Sequence, residues 1–262
     1  KNPDIFKKIK FPCYISPKLD GIRNHVEEGV SLSRKNIKLP NLHCQELFKK
    51  HGWLDGEVID GCETDFDVYN RTQSSVMSIQ GTPDLYFWVF DTTVPSLKDV
   101  PFKGRQRFIA SYIANSEDPR LKLVPQILVH NLEELLQVES DFLEMGFEGI
   151  CGRSPDGVYK FGRSTLNQGI LWKLKRFQDD EGIVVGFQEA ETNTNEATIS
   201  NTGKTKRGHS QAGMVPAGTL GAFLVEVNGE IFKVSPGVLK RPERRHIWDN
   251  QSLFLTQTLK YR

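Results

Sequence analysis

Cysteine is scarce in this sequence: Cys13, Cys44, Cys62 and Cys151 are scattered along 262 residues. That number and spacing exclude a disulfide-stapled scaffold and a zinc knuckle. The six histidines never fall into the close pairs that a helical zinc site needs. No apolar run reaches the length that crosses a bilayer, and no charged-then-apolar leader opens the chain. An excess of one charge is lacking too: 34 Lys plus Arg stand against 33 Asp plus Glu, a formal net charge of +1. A uniformly basic nucleic-acid coat is therefore excluded, although local basic patches are not. Repeats and low-complexity tracts are absent. What these absences leave is a soluble protein expected to work in a reducing compartment, without a bound transition metal.

The composition is otherwise that of a folded protein, with 38% hydrophobic and 26% charged residues. The length suits one large domain or two ordinary ones. Phe11–Ser16 reads as a strand, followed by a tight turn and a hairpin around Glu27–Gly29. Cys44–His51 reads as a short helix stopped by Gly52. The aromatic run Leu85–Phe90 is short for a helix and is expected to be a buried strand. Asn131 with Glu134 resembles a capping box. Leu132, Leu135, Leu136, Phe142 and Leu143 then supply one apolar helical face, ended by Gly146. Beyond about Phe177 the pattern changes. Ile183–Ala190 is a predicted strand, and a polar stretch follows over Glu191–Gln211. Thr219–Val227 and Glu230–Ser235 flank the hairpin pair Asn228-Gly229. A basic helix over Arg241–Trp248 and a strand over Leu253–Lys260 close the chain. The expectation is an α+β protein with one domain over 1–178 and a small β-barrel of the oligonucleotide-binding (OB) kind over 179–262.

Five short segments carry side chains that chemistry can use. Ser16-Pro17-Lys18-Leu19-Asp20-Gly21-Ile22-Arg23 places a lysine at a strand end before a glycine turn, where its amine can point into a cleft. Lysine attacks only when desolvation or neighbouring cations favour its neutral form. Then come Leu54-Asp55-Gly56-Glu57, Phe90-Asp91, Glu148-Gly149-Ile150 and Leu171-Trp172-Lys173-Leu174-Lys175. In the last of these, a strand would project both lysines from one face. Each segment alone reads as ordinary structure: a solvated turn, a bulge, a core aromatic, a helix-to-strand loop, an edge strand guarded by lysines. That reading fails for all five together, in one order.

Their order resembles the covalent nucleotidyltransferase superfamily, specifically the ATP-dependent DNA ligases and among them the short phage-type enzymes, over nearly the whole chain. The resemblance implies an adenylation (nucleotidyltransferase) domain of antiparallel sheets and flanking helices, followed by an OB-fold domain. It implies that Lys18 takes the adenylate of ATP covalently, with Arg23, Lys173 and Lys175 as catalytic partners. Ser16, Arg34 of Ser33-Arg34, Glu57, Phe90 and Arg153 complete the implied nucleotide site, Phe90 stacking on adenine. Glu57 and Glu148 are the implied ligands of Mg²⁺, with Mn²⁺ able to substitute. The implied partner is nicked double-stranded DNA bearing a 5′-phosphate and a 3′-hydroxyl, met by a monomeric protein in the cytoplasm, or the host cytoplasm for a phage-encoded chain.

Two departures from the family's pattern stand out. The position two residues before the lysine, often a carboxylate or amide that reads the adenine amino group, is Ser16, so base selectivity is expected to rest more on backbone. A sixth, basic motif has no match before Lys260-Tyr261-Arg262, and the C-terminal end is expected to be truncated. An RNA ligase or an mRNA-capping guanylyltransferase, which uses the same covalent lysine, is the alternative. The region from Glu191 to Phe223, which resembles the phage subgroup's second domain, favours DNA. From Ala197 to Val225 there is no acidic residue, while Lys204, Lys206, Arg207 and His209 lie there. Lys204, Lys206 and Arg207, with Arg244 and Arg245 of the last helix, are the expected DNA-binding residues.

Overall fold

The computed structural model describes residues 4–176, 179–199, 205–208 and 210–261. The chain divides into two compact units, Lys1–Arg176 and Phe177–Arg262. The first unit runs α1 (Asp4–Lys7), β1 (Cys13–Pro17), β2 (Ile22–Glu27), β3 (Val30–Leu32), α2 (Leu42–Phe48), β4 (Leu54–Asp60), α3 (Val68–Met77) and β5 (Leu85–Thr92). It continues through α4 (Phe102–Ala114), β6 (Leu121–Leu123), β7 (Ile127–Val129), α5 (Leu132–Glu144), β8 (Gly149–Arg153) and β9 (Leu171–Lys175). The second comprises β10 (Asp180–Asn193), β11 (Ala197–Ile199), β12 (Thr205–Arg207), β13 (Met214–Val227), β14 (Glu230–Val234), α6 (Arg241–Asp249) and β15 (Thr258–Tyr261).

Two sheets build the first unit, in the orders β3-β2-β4-β5-β6 and β7-β1-β8-β9. Only the β5–β6 pair among these described ladders is parallel. Alternation decides which side chains face inward. On the larger sheet Val26, Val58, Phe87 and Val89 pack with Phe48 of α2, Val76 of α3 and Ile109 of α4. On the smaller sheet Ile15, Ile150, Trp172 and Leu174 pack with Leu135 and Phe142 of α5. Each such side chain stabilises the fold by about 1.5–3 kcal/mol. Both sheets thus have one face sealed by helices, which leaves the other face free to carry polar side chains.

Several boundaries differ from the sequence expectation for local reasons. α2 begins at Leu42, not Cys44, because Asn41 caps it: the Asn41 carboxamide accepts from the Cys44 N–H at 2.8 Å and donates to the Ser78 carbonyl at 3.0 Å. It stops at Phe48, and His51 turns inward to Asp118 (2.9 Å) and Tyr112 (3.1 Å) instead of continuing the helix. The buried stripe of α5 is Leu135, Glu139 and Phe142, whereas Leu132, Leu136 and Leu143 lie exposed at its edges. α3 and α4 were hidden by polar residues at buried positions, Thr72 in one and Arg105 in the other. The final strand is only Thr258–Tyr261, since Gln251–Leu253 coils into a 3₁₀ turn behind α6.

The sheet of the second unit has the order β14-β13-β10-β15, with α6 packed on β13. Bulges in β10 between Val184 and Gly186 and between Gln188 and Glu191 bend the long strands. The sheet curls so far that Phe232 and Tyr261, on its two outermost strands, meet edge to face at 5.3 Å. This is the curled small barrel expected of the OB class. β11 and β12 form a separate two-stranded ribbon.

Candidate active site

Lys18 follows directly on β1, and its backbone N–H donates to the Gly149 carbonyl at 2.8 Å, tying the end of β1 to the start of β8. Three residues on, the turn passes so close to β4 that a Cβ on Gly21 would lie 2.4 Å from the Val58 carbonyl oxygen. Only glycine fits there. The chain after Lys18 is therefore pinned on both sides. Gly149 is held as tightly: its φ is +156° and a Cβ would meet the Leu174 carbonyl oxygen at 2.2 Å. That approach draws the start of β8 and the end of β9 together, and with them Glu148 and Lys175.

The result is a charged cluster at one end of the smaller sheet. The Lys18 Nζ contacts one carboxylate oxygen of Glu148, and the Lys175 Nζ contacts the other. Asp20 lies 4.0 Å from the Lys18 Nζ. Lys173 projects from the same face of β9 as Lys175, opposite Cys151 in the ladder, while Trp172 and Leu174 enter the core. Three residues expected to share a site are thus brought together, Lys18, Glu148 and Lys175 from three adjacent strand ends, while Lys173 stands two residues back along β9 on the Lys175 face. Ser16, buried on β1, reaches the Cys151 carbonyl only at 3.5 Å. Burial pushes the Cys151 thiol up to about 11, so it stays protonated.

A second group surrounds Phe90. The Arg23 guanidinium sits 4.8 Å from the Phe90 ring centre, and that of Arg153 sits 4.9 Å from it. Arg23 is gripped by Asp55 through two hydrogen bonds, and Tyr159 donates to the same carboxylate at 2.8 Å. Burial works against the charge on Arg23, yet Asp55 outweighs it and holds the guanidinium above its ordinary range. Arg153 donates to Asp91 at 2.7 Å. Arg105 of α4, fully buried, also donates to Asp91 at 2.7 and 3.1 Å. Asp55, Asp91, Arg105 and Tyr159 were not among the expected site residues. Asp55 and Asp91 stand inside the two motif segments, so their signal was present; Arg105 and Tyr159 gave none.

Glu57 lies opposite Arg23 in the β2–β4 ladder. Burial pushes its carboxyl up to about 7, with Arg23 pulling down and Asp55 and Asp20 pushing further up. Arg34 is exposed on the turn after β3, close enough to act on Glu57. Arg23 and Arg34 also line a cleft of about 480 Å³ whose other cationic walls are Lys98, Lys160 and Arg163. Lys18 is not in its wall. Among the described residues no group of three or more His, Cys, Asp or Glu converges as a ready metal cage. A Mg²⁺ ion does not need one, since it is usually held by one or two carboxylates with phosphate oxygens and water.

In the second unit, Lys204 and His209 lie outside the described residues, and of Lys206 only the backbone, in β12, is described. Arg207 donates to the Asn195 carbonyl at the foot of the β11–β12 ribbon. Arg244 is half-buried and donates to the Leu239 carbonyl at 2.9 Å, while Arg245 is exposed.

Residues 1–175 match the family described as the ATP dependent DNA ligase domain. A DNA ligase of African swine fever virus (strain Badajoz 1971 Vero-adapted) is 29% identical over 107 residues, 40% of this chain and 26% of that protein. A DNA ligase of Thermococcus fumicolans is 27% identical over 154 residues, 58% of this chain and 26% of the relative. The chain spans about a quarter of the length of these curated relatives. The crystal structure of Chlorella virus DNA ligase-adenylate superposes with a TM-score of 0.58 at 27% identity, covering 97% of this chain and 89% of that one. The bacteriophage T7 ATP-dependent DNA ligase in complex with ATP shares the fold, at a TM-score of 0.52 and 15% identity, over 99% of this chain and 90% of the other. With two-thirds of its length matched to the family and Lys18, Glu148 and Lys175 of three motif segments gathered in one cluster, the chain belongs to the ATP-dependent DNA ligase domain family.

Proposed function

We propose that this protein seals nicks in duplex DNA through a lysyl-adenylate on Lys18. The observation that carries this reading is the convergence of Lys18, Glu148 and Lys175 on one another. In the first step the Lys18 amine gives up a proton to solvent and attacks the α-phosphorus of ATP. An N–P bond forms, the bond to the β-phosphate oxygen breaks, and pyrophosphate leaves with the electron pair. Lys173 and Lys175 offset the charge that grows on the α-phosphate oxygens. Phe90, with cations on its ring, offers a stacking surface for adenine. Glu57, held near neutrality, suits a ribose hydroxyl better than a metal ion. Glu148 would hold Mg²⁺, whose chemistry is charge neutralisation at the phosphates. The adenylate then passes to a DNA 5′-phosphate, and the adjoining 3′-hydroxyl displaces AMP.

The DNA backbone suits the cationic cleft at Arg34, Lys98, Lys160 and Arg163 and the basic ribbon of the second unit. We take nicked duplex DNA as the substrate and one chain as the working unit. Incubation with α-labelled ATP should label the protein, and Lys18→Ala or Lys18→Arg should remove the label, since arginine stays protonated. Both variants should still close a nick that already carries 5′-AMP, at reduced rate. Label on the Lys18→Ala protein would overturn the assignment; labelling by GTP in preference to ATP would favour a capping enzyme.

A further inference from the structure

The face of the smaller sheet opposite its core carries Tyr14 and Ser16 on β1, Cys151 and Arg153 on β8 and Lys173 on β9. It is the face turned toward the candidate site: Tyr14 meets Phe102 edge to face at 5.7 Å, and Arg153 lies 4.9 Å from the same ring and from that of Phe90. The outermost strand, β7, pairs with β1 as Tyr14 with Leu128 and Ile15 with Ile127. Gln126 immediately precedes β7, and by alternation it falls on the site face with Leu128 and Tyr14, because Ile15 and Ile127 share the other. The backbone just before it is anchored from the other sheet, the Val124 N–H donating to the Val89 carbonyl at 2.9 Å, next to Phe90. Gln126 is therefore held between the strand that carries Phe90 and the strand that leads to Lys18.

Its side-chain amide is not spent on hydrogen bonds within the described structure. Both the amide nitrogen and the amide oxygen are buried, and neither has a hydrogen-bond partner among the described residues. The indole N–H of Trp88, which stands across the ladder from Glu57, is orphaned in the same way. A buried amide with both ends unpaired is costly, and native proteins rarely keep one unless something else satisfies it. A primary amide offers a donor and an acceptor side by side. Adenine presents the complement, a 6-amino donor beside a ring-nitrogen acceptor, and glutamine engages that edge with two bonds. On the edge that carries N7, guanine presents two acceptors, O6 and N7, so in either amide orientation the glutamine oxygen would face an acceptor.

We infer that Gln126 reads the 6-amino edge of the nucleotide base, and so sets the choice of ATP over other purine triphosphates. Ser16, whose hydroxyl is held weakly against Cys151, then needs no part in base reading. The inference rests on the proposed transfer of a nucleotide to Lys18, and its test separates the two. Self-labelling efficiency of the full chain is measured with ATP and with purine riboside triphosphate, which lacks the 6-amino group, for the wild-type protein and for Gln126→Met. A site that bonds a polar group rejects the analogue lacking it strongly. Wild type should prefer ATP by at least about 10-fold, and Gln126→Met should lose most of that preference by losing activity with ATP alone. An unchanged ratio in Gln126→Met overturns the inference. If the variant folds poorly and labels weakly with both nucleotides, the wild-type arm decides, and equal labelling by the two triphosphates overturns it. Failure of wild type to take label from any nucleotide removes the parent reading and this one together, whereas ATP labelling indifferent to the 6-amino group removes this one alone.

Discussion

A carboxylate shared by two arginines cannot be removed without stranding charge. Asp91 is 2% exposed and bonds Arg105, also 2% exposed, and Arg153. Asp91→Ala would leave the Arg105 guanidinium buried with, among the described residues, the Val100 and Gly157 carbonyls as its hydrogen-bond acceptors and no counter-charge. A loss of about 3–5 kcal/mol in urea unfolding is expected, together with a drop in self-labelling as Arg153 leaves Phe90. Glu57 makes a pH-dependent contribution of definite sign. Its folded carboxyl titrates near 7 instead of 4.5, so between those values the folded state holds a proton that the unfolded chain has released. Stability should fall as pH rises through that window, by about 3 kcal/mol from this group. Glu57→Gln removes the penalty: it should be more stable than wild type at pH 8 and nearly equal to it at pH 4.5. Equal stability at both pH values would contradict the burial argument. Lys18, Glu148 and Lys175 were legible in the sequence because their chemistry stands in short segments. Arg105 and Tyr159 were not, because an ion pair spanning 14 residues or a hydrogen bond spanning 104 leaves no local pattern.

At the scale of elements, legibility followed period. β5, the Asn228-Gly229 hairpin and α6 were placed within a residue or two, since each carries a clean period or turn signal. For α5 the period was right, but the stripe drawn from it was too wide. Five apolar residues marked the helix, of which Leu135 and Phe142 are buried, and Glu139 occupies the stripe between them. Glu139 is there because the Arg176 side chain grips it with two hydrogen bonds where β9 leaves the first unit. A pair of substitutions one residue apart tests the corrected stripe. Leu135→Asp places a charge in the core under β1 and β8 and should unfold the first unit. Leu136→Asp, on a side chain 40% exposed, should change stability by less than about 1 kcal/mol. Circular dichroism melts of the two variants give the answer. α3 and α4 were illegible for the opposite reason, since a buried Thr72 and a buried Arg105 break the apolar period that would announce them.

At the scale of the whole molecule, a net charge of +1 conceals an uneven distribution. The residues proposed for the covalent step, Lys18, Glu148, Lys173 and Lys175, belong to the first unit. The longest stretch without acid, 197–225, belongs to the second and carries Lys204 in sequence and Lys206 and Arg207 in β12. The foot of the β11–β12 ribbon is tied down by uncharged side chains as well as by Arg207: Asn195 donates to the Gly208 and Ser210 carbonyls, and Thr194 to the Gly213 carbonyl. Self-labelling and DNA binding should therefore be separable. Replacing Lys204, Lys206 and Arg207 together by Gln removes three positive charges and the Arg207 bond to the Asn195 carbonyl, but leaves the bonds that Asn195 and Thr194 donate. Every phosphate that is no longer neutralised should reduce the steepness of log K against log salt by about 0.9, so the triple variant should bind nicked duplex more weakly and with a slope shallower by about 2–3. Adenylation of Lys18 without DNA should stay at the wild-type rate, because no residue of its cluster is touched. Binding titrations at four or five salt concentrations, with labelling run in parallel, separate the outcomes. A shallower slope with normal labelling assigns the ribbon to the phosphate backbone. An unchanged slope moves the main DNA-binding surface to the cleft at Arg34, Lys98, Lys160 and Arg163.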